Sequence, residues 1–563
     1  MKKIIQSFFF LFLLIPCLLN GQELEARWGT MKKVKKTSSV PYFDFAGSND
    51  SKVLIIHYGK KGIVFDLYDK STLNLINSIP LKLKKIEWKK NKSELQYYKG
   101  FITEDKVYLF TYLKIKKNVK RKRYEVEMPL FVSTFSFEGE KLSEWKEVGE
   151  LGLSDIKYSS YDFFNTVPDD VIFNKKHNFF VVKQFSGQRF YDEGLNEIEV
   201  DKSISKSELL FTEGGRIWLI GETMKSQDKF DSCLNVSELE YSGGVLTAKS
   251  KKCIKTKLVK EISTETHTET VNTEELSAEE ALKFYEEKYS VLSSTDLSFT
   301  NVSSSIINET KLRILILTKH KDEYFKAEAW EFDLDAGKEI TSIEYNLTDE
   351  EKEMFKKNAV SLSYDHEKNK EEKKYRIVVP NHTLKNLPIF HSEMQNESVV
   401  YSSSSNTEFS GGNQTNVITT TSGTGNNYGY IYTFWINEDG SIQSKWINKR
   451  QHGGMYGRGD MFLSYLPFST GGYNYFVFLG NSYNFVYGNN MRLKSPVSKD
   501  AVLGYYSIDS KGNTIYKEFK ELSKKLKSPP RTHIYHFDGE KLYILALSTF
   551  KNKIRLIEIA PKN

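Results

Sequence analysis

The stretch Gln451 to Leu466 gathers the side chains best suited to ligand chemistry. His452, Tyr456, Arg458 and Asp460 place an imidazole, a phenol, a guanidinium and a carboxylate within nine residues. Gly453, Gly454, Gly457 and Gly459 are interspersed among them, so the backbone can turn tightly and present those groups to a bound molecule. The same residues also fit a long connection in which Arg458 and Asp460 pair at the surface. The embedded Arg458-Gly459-Asp460 tripeptide is too short to identify an adhesion ligand.

Other chemistries are poorly served. The chain lacks a Walker-type phosphate cradle, a Gly-x-Ser-x-Gly elbow and a His-Glu-x-x-His pair, so no catalytic residue, metal site or cofactor is expected from motifs. His533 and His536 lie three apart, which on a strand points them to opposite faces. Asp333-Leu334-Asp335-Ala336-Gly337 alternates acids like a calcium loop but lacks the later glutamate, and reads as a turn. Paired carboxylates for glycoside hydrolysis would come from separate elements and leave no local spacing to read.

The elements that must position these residues begin after a leader. Lys2 and Lys3 precede an apolar run from Phe8 to Leu19, the pattern of a secretory signal over 1–21, with cleavage near Gly21 or Gln22. Export to the periplasm, cell surface or medium is expected, with lipidation at Cys17 a lesser alternative because Pro16 stands where a small residue belongs. No later stretch is apolar and long enough for a transmembrane helix. The chain carries 80 Lys and Arg against 73 Asp and Glu, an excess too small for its 563 residues to imply nucleic-acid binding. The densest basic run, Lys114 to Arg123, falls between two strand-like segments and reads as a solvated hairpin tip, with anionic glycan or membrane contact as the alternative.

Cys233 and Cys253 flank a predicted hairpin turning at Ser242-Gly243-Gly244. If Tyr241 pairs with Val245, the two thiols face one another and oxidise in an exported protein.

Apolar residues make up 39% of the chain, and 33 Tyr with 37 Phe favour strands over helices. Eight short apolar runs recur, starting at Val53, Val107, Phe179, Ile217, Leu312, Val399, Tyr475 and Leu542. Each is followed by a hairpin tip: Asp69-Lys70, Glu138-Gly139, Glu193-Gly194, Gly243-Gly244, Ala336-Gly337, Asp439-Gly440, Lys511-Gly512 and Lys551-Asn552. Runs apolar at consecutive positions are covered on both faces, as between neighbouring sheets of a radial array. The fold class is therefore all-β, one closed array over 22–563 with eight repeats, or seven. A string of β-sandwiches needs linkers that the composition does not show.

On these repeats the chain resembles the β-propeller superfamily at the level of architecture. It lacks the Trp-Asp ending of WD40 blades, and its double glycines do not hold one blade position as in kelch repeats. Ser507 to Thr514 is similar to the sialidase Asp-box hairpin with one residue too many. In that family the box is structural, so the resemblance implies a turn and is no evidence for hydrolysis.

Three segments interrupt the β pattern. A helix is expected over about 274–290, capped by Ser277 with Glu280, and another over Asp349 to Lys357, capped by Thr348 with Glu351. Tyr401 to Tyr428, rich in Ser, Thr, Asn and Gly, reads as a flexible loop or polar outer hairpin. The function expected is a binding or scaffolding module of the bacterial cell envelope, its partner an envelope protein or an extracellular glycan. The alternative is an extracellular carbohydrate-active hydrolase or lyase.

Overall fold

The computed structural model describes residues 22–33, 43–59, 62–83, 85–119, 123–151, 171–184, 187–200, 208–212, 214–222, 233–256, 297–320, 323–361, 376–378, 388–410, 413–437, 439–449, 451–452, 464–481, 501–519, 530–548 and 553–562. Blades 1 to 7 are successive antiparallel sheets over 43–81, 96–150, 171–191, 208–255, 297–346, 376–447 and 465–518. Blade 8 joins the two ends of the chain. Its inner strands are Pro530–Phe537, Leu542–Ser548 and Lys553–Pro561, and its outermost strand is Leu24–Trp28. The first strand of blade 1 lies beside the first strands of blades 2 and 8, so the sheets circle a common axis as an eight-bladed β-propeller.

The burial pattern supplies the physical reason. Every residue of Val107–Tyr112, the second strand of blade 2, is buried, because its two faces meet different neighbours. Phe110 packs toward blade 3 with Phe180, whereas Leu109 packs toward blade 1 with Phe65. The described residues form eight apolar clusters, one at each junction between adjacent blades. The last joins Phe43 and Phe45 of blade 1 to Tyr543 and Leu545 of blade 8. No blade has a core of its own, so burial is complete only when the ring is closed.

Closure rests on the N-terminal segment. Leu24–Trp28 pairs in register from Leu24 with Pro561 to Trp28 with Ile557. Leu24 donates its amide to Tyr505 Oη at 3.0 Å, tying the strand to blade 7. On the other side Lys32 reaches Asp66 of blade 1, a fully buried carboxylate that also accepts from His57 Nε2 at 3.1 Å and Ser78 Oγ at 2.8 Å.

Several sequence expectations need correction. Seven of the eight apolar runs start or nearly start the second strands of their blades; the run at Val399 also lies in a second strand, Phe390–Ser410 of blade 6, but well past its start. There the buried strand begins at Phe390, and its polar residues His391, Ser392 and Glu393 hid it from a search for apolar runs. Six of the first seven tips join third strands to fourth; Glu193-Gly194 follows the third strand of the three-stranded blade 3, and Lys551-Asn552 falls between the second and third strands of blade 8. That blade needs no such tip, since its fourth strand comes from the other end of the chain.

The cysteine hairpin turns through two residues, with Ser242 opposite Val245 and positive φ at Gly243 (60°) and Gly244 (81°). A shift between Glu238 and Leu239 then sets Cys253 opposite Asn235 and Cys233 opposite Lys255. The two positions share a face, one diagonal step apart instead of directly opposed.

The helix at 349 is present and longer than expected, Asp349–Ser361. Its capping box is formed: Thr348 donates its amide to Glu351 Oε2 at 2.8 Å, and Glu351 donates its amide to Thr348 Oγ1 at 3.2 Å. It is the one helix among the described residues, and the helix expected over 274–290 lies outside them. The Ser/Thr-rich segment is paired as a long hairpin, Phe390–Ser410 with Asn413–Ile436.

Candidate functional site

Antiparallel blades sort their connections onto two faces. Turns between first and second strands, and between third and fourth, emerge on one face; the remaining connections emerge on the other. On the first face most turns are short and bind one another. Asn49 Nδ2 donates to Thr103 O at 3.2 Å, His177 Nε2 to Gly215 O at 2.6 Å, and the Gly214 amide to Glu309 Oε1 at 2.6 Å. Ser48 Oγ and His536 Nε2 share a hydrogen bond at 3.0 Å across the closing junction. Asp residues bind their own turns, as where Asp509 Oδ1 accepts the amides of Lys511 at 2.9 Å and Asn513 at 2.7 Å. The turn reading also holds for Asp333 and Asp335: Asp333 Oδ1 accepts the Ala336 amide at 2.8 Å, and Asp335 receives Arg216 of blade 4.

The strands flanking the longest sequence intervals, 82–95, 113–128, 151–170, 201–207, 223–232, 257–296, 347–375, 448–464, 482–500 and 519–529, end on the opposite face. The long hairpin of blade 6 extends from the same face. Gln451 to Leu466, singled out for its chemistry, is the connection from blade 6 to blade 7. His452 sits in the short strand Gln451–His452, opposite Asn427. Tyr456, Arg458 and Asp460 lie outside the described residues.

Both described ends of this connection are anchored in a buried polar cluster. Gln451 Oε1 accepts the Ser464 amide at 2.8 Å and Lys449 Nζ at 2.6 Å, while its Nε2 donates to Leu479 O at 2.5 Å. Lys449 is ion-paired with Glu393, whose Oε2 accepts Ser464 Oγ at 2.7 Å. Burial drives the Lys449 ammonium well below its ordinary value, so its charge depends on the adjoining carboxylate. Ser464 adopts a left-handed φ of 70°, which the bonds to Gln451 and Glu393 hold in place.

Beside them His391 Nδ1 and Tyr465 Oη share a hydrogen bond at 2.7 Å. Burial lowers the His391 imidazole to about 3 and raises the Tyr465 phenol far above its usual value, so both are neutral at pH 7.

All of these side chains are buried, with Lys449 and Gln451 at 0% exposure, and their chemistry is positional. They fix the two described ends of this connection. Sequence reasoning found the connection but missed Glu393, Lys449 and Ser464, which are spread over 72 positions and have no common motif. Among the described residues no group of three His, Cys, Asp or Glu side chains is placed to hold a metal ion.

No protein-family model and no curated protein matches the chain. Solved structures similar to it include an uncharacterised protein from Listeria monocytogenes, at 8% identity and a TM-score of 0.28, covering 86% of this chain and 97% of the other. The β-propeller domain of the trilobed protease from Pyrococcus furiosus is similar at 10% identity and a TM-score of 0.22, covering 80% and 79%. A putative glycoside hydrolase from Parabacteroides distasonis is similar at 10% identity and 0.18, covering 70% and 97%. These scores are too low to carry an argument, and the fold assignment rests on the strand pairing described above.

Proposed function

We infer that this protein is an exported binding or scaffolding module of the bacterial cell envelope, presenting the face that bears the long connections. The observation that carries this reading is the contrast between the two faces. Among the described residues one consists mostly of tight turns bound to each other, and the other is where strands flanking the longest sequence intervals end. Variable loops on a rigid scaffold are where recognition concentrates. The apolar run behind Lys2 and Lys3 supports export, and an exported chain supports a disulfide between Cys233 and Cys253, whose positions share a sheet face.

The test combines pull-down of the exported protein with a glycan array, comparing the full chain with a variant in which 398–425 is replaced by Asn-Gly. Recovery of one envelope protein or one sugar class by the full chain, weakened in the variant or by His452→Ala or Arg458→Ala, supports the reading. Turnover of a captured sugar would instead favour a carbohydrate-active enzyme. Capture of nothing by a folded protein would remove the binding role.

A further inference from the structure

Two basic stretches far apart in the sequence are brought together by the fold. The connection from blade 1 to blade 2 contains the hairpin Lys85–Trp88 with Asn91–Glu94. The connection between the second and third strands of blade 2 contains the hairpin Ile115–Val119 with Arg123–Glu127. Both emerge on the insertion-bearing face, on adjacent blades. They are rooted in one apolar cluster, where Leu83, Leu113 and Ile115 are buried and Ile86 and Trp88 pack against them.

The described residues of these segments, 82–83, 85–94, 114–119 and 123–127, hold nine Lys and Arg against four Glu, a net charge of +5, while the whole chain carries +7. These two stretches therefore carry most of the chain's net positive charge. Lys82, Lys85, Lys89, Lys90 and Lys114 are exposed there. Lys89 lies over the Trp88 ring at 4.0 Å, and Trp88 Nε1 donates to Glu147 Oε2 at 2.8 Å, which holds the first hairpin against blade 2.

We propose that these paired hairpins form a docking surface for an acidic polysaccharide, a chain bearing carboxylate or sulfate groups. Such a surface names one partner for the binding module inferred above and rests on that reading. Like charges at this density repel one another, and an extended polyanion relieves the repulsion along its length. A bilayer surface is less well matched, because the turn of the first hairpin is Lys89-Lys90 and offers no apolar side chain for insertion.

The experiment measures binding of the full chain to heparin and to polygalacturonate by calorimetry at several salt concentrations, with vesicles containing phosphatidylglycerol in parallel. Saturable binding to either polysaccharide that weakens as salt rises is expected. Lys89→Glu with Lys90→Glu should reduce affinity roughly tenfold or more, and so should Lys116→Glu with Lys117→Glu in the other hairpin. The control Lys251→Glu, on the outer strand of blade 4, should leave binding unchanged. Loss of folding in one double variant leaves the other to decide.

Binding unaffected by both double variants, binding to vesicles alone, or no binding to either polysaccharide overturns the proposal. If polysaccharide binding fails while the pull-down still recovers an envelope protein, the binding-module reading stands and this partner is wrong.

Discussion

Gln451 and Ser464 bind each other at the two ends of the connection between blades 6 and 7, the Ser464 amide donating to Gln451 Oε1 at 2.8 Å. Twelve residues separate them in sequence, and the bond pins the two ends of that interval together. Gln451→Ala would remove this bond together with the donation to Leu479 O, leaving buried polar groups without partners. Denaturant titration should show a loss of about 3 kcal/mol, and His452→Ala should change stability far less.

Lys449 and Glu393 are almost wholly inaccessible, at 0% and 1% side-chain exposure. Replacing either alone with Met strands the other and should cost about 3–5 kcal/mol. The double Met variant should be less destabilised than the two single effects summed, and a double-mutant cycle measures the difference. Strict additivity would show that the two side chains do not interact.

Acid should weaken the fold through its buried imidazoles. Burial lowers His391 to about 3 and His536 to about 4, both from an ordinary 6.5. Below about 6.5 the unfolded chain takes up protons that the native imidazoles refuse, so stability falls as pH drops toward 4. Each histidine should contribute a slope of about 1.4 kcal/mol per pH unit in that window and none above it. Thermal melts between pH 4 and 7.5 check this, and His391→Phe should flatten the profile.

The closing strand should be indispensable to the ring. Deleting residues 22–33 removes the outer strand of blade 8, the Arg27 bond to Glu558 at 2.8 Å and the Lys32 contact with Asp66. The truncated chain should melt at a much lower temperature and bind a hydrophobic dye. A synthetic peptide of residues 22–33 supplied in trans should raise the melting temperature, whereas a scrambled peptide should not.

Much of the blade pattern was legible in the sequence because a strand covered on both faces must be apolar at consecutive positions. Val53 to Ile56 and Phe179 to Val182 announce themselves in this way. The start of blade 6 was missed because its second strand begins with His391, Ser392 and Glu393, of which His391 and Glu393 are satisfied by Tyr465, Lys449 and Ser464 from distant segments. The cysteine register slipped for a different reason. The turn uses two residues, Gly243 and Gly244, where three were expected, and a bulge between Glu238 and Leu239 adds a second step; both depend on local pairing geometry.

By itself the sequence determined an all-β repeat, the Thr348–Glu351 helix cap and the existence of a glycine-rich connection after blade 6. Each depends on residues near one another in the chain, through side-chain periodicity or local hydrogen bonding. Only the tertiary structure decided that the strand Leu24–Trp28 completes the last blade, that Glu393, Lys449, Gln451 and Ser464 meet, and that two basic hairpins share one corner. Those relationships join residues tens to hundreds of positions apart, and ring closure brings them within contact distance without leaving any spacing to read.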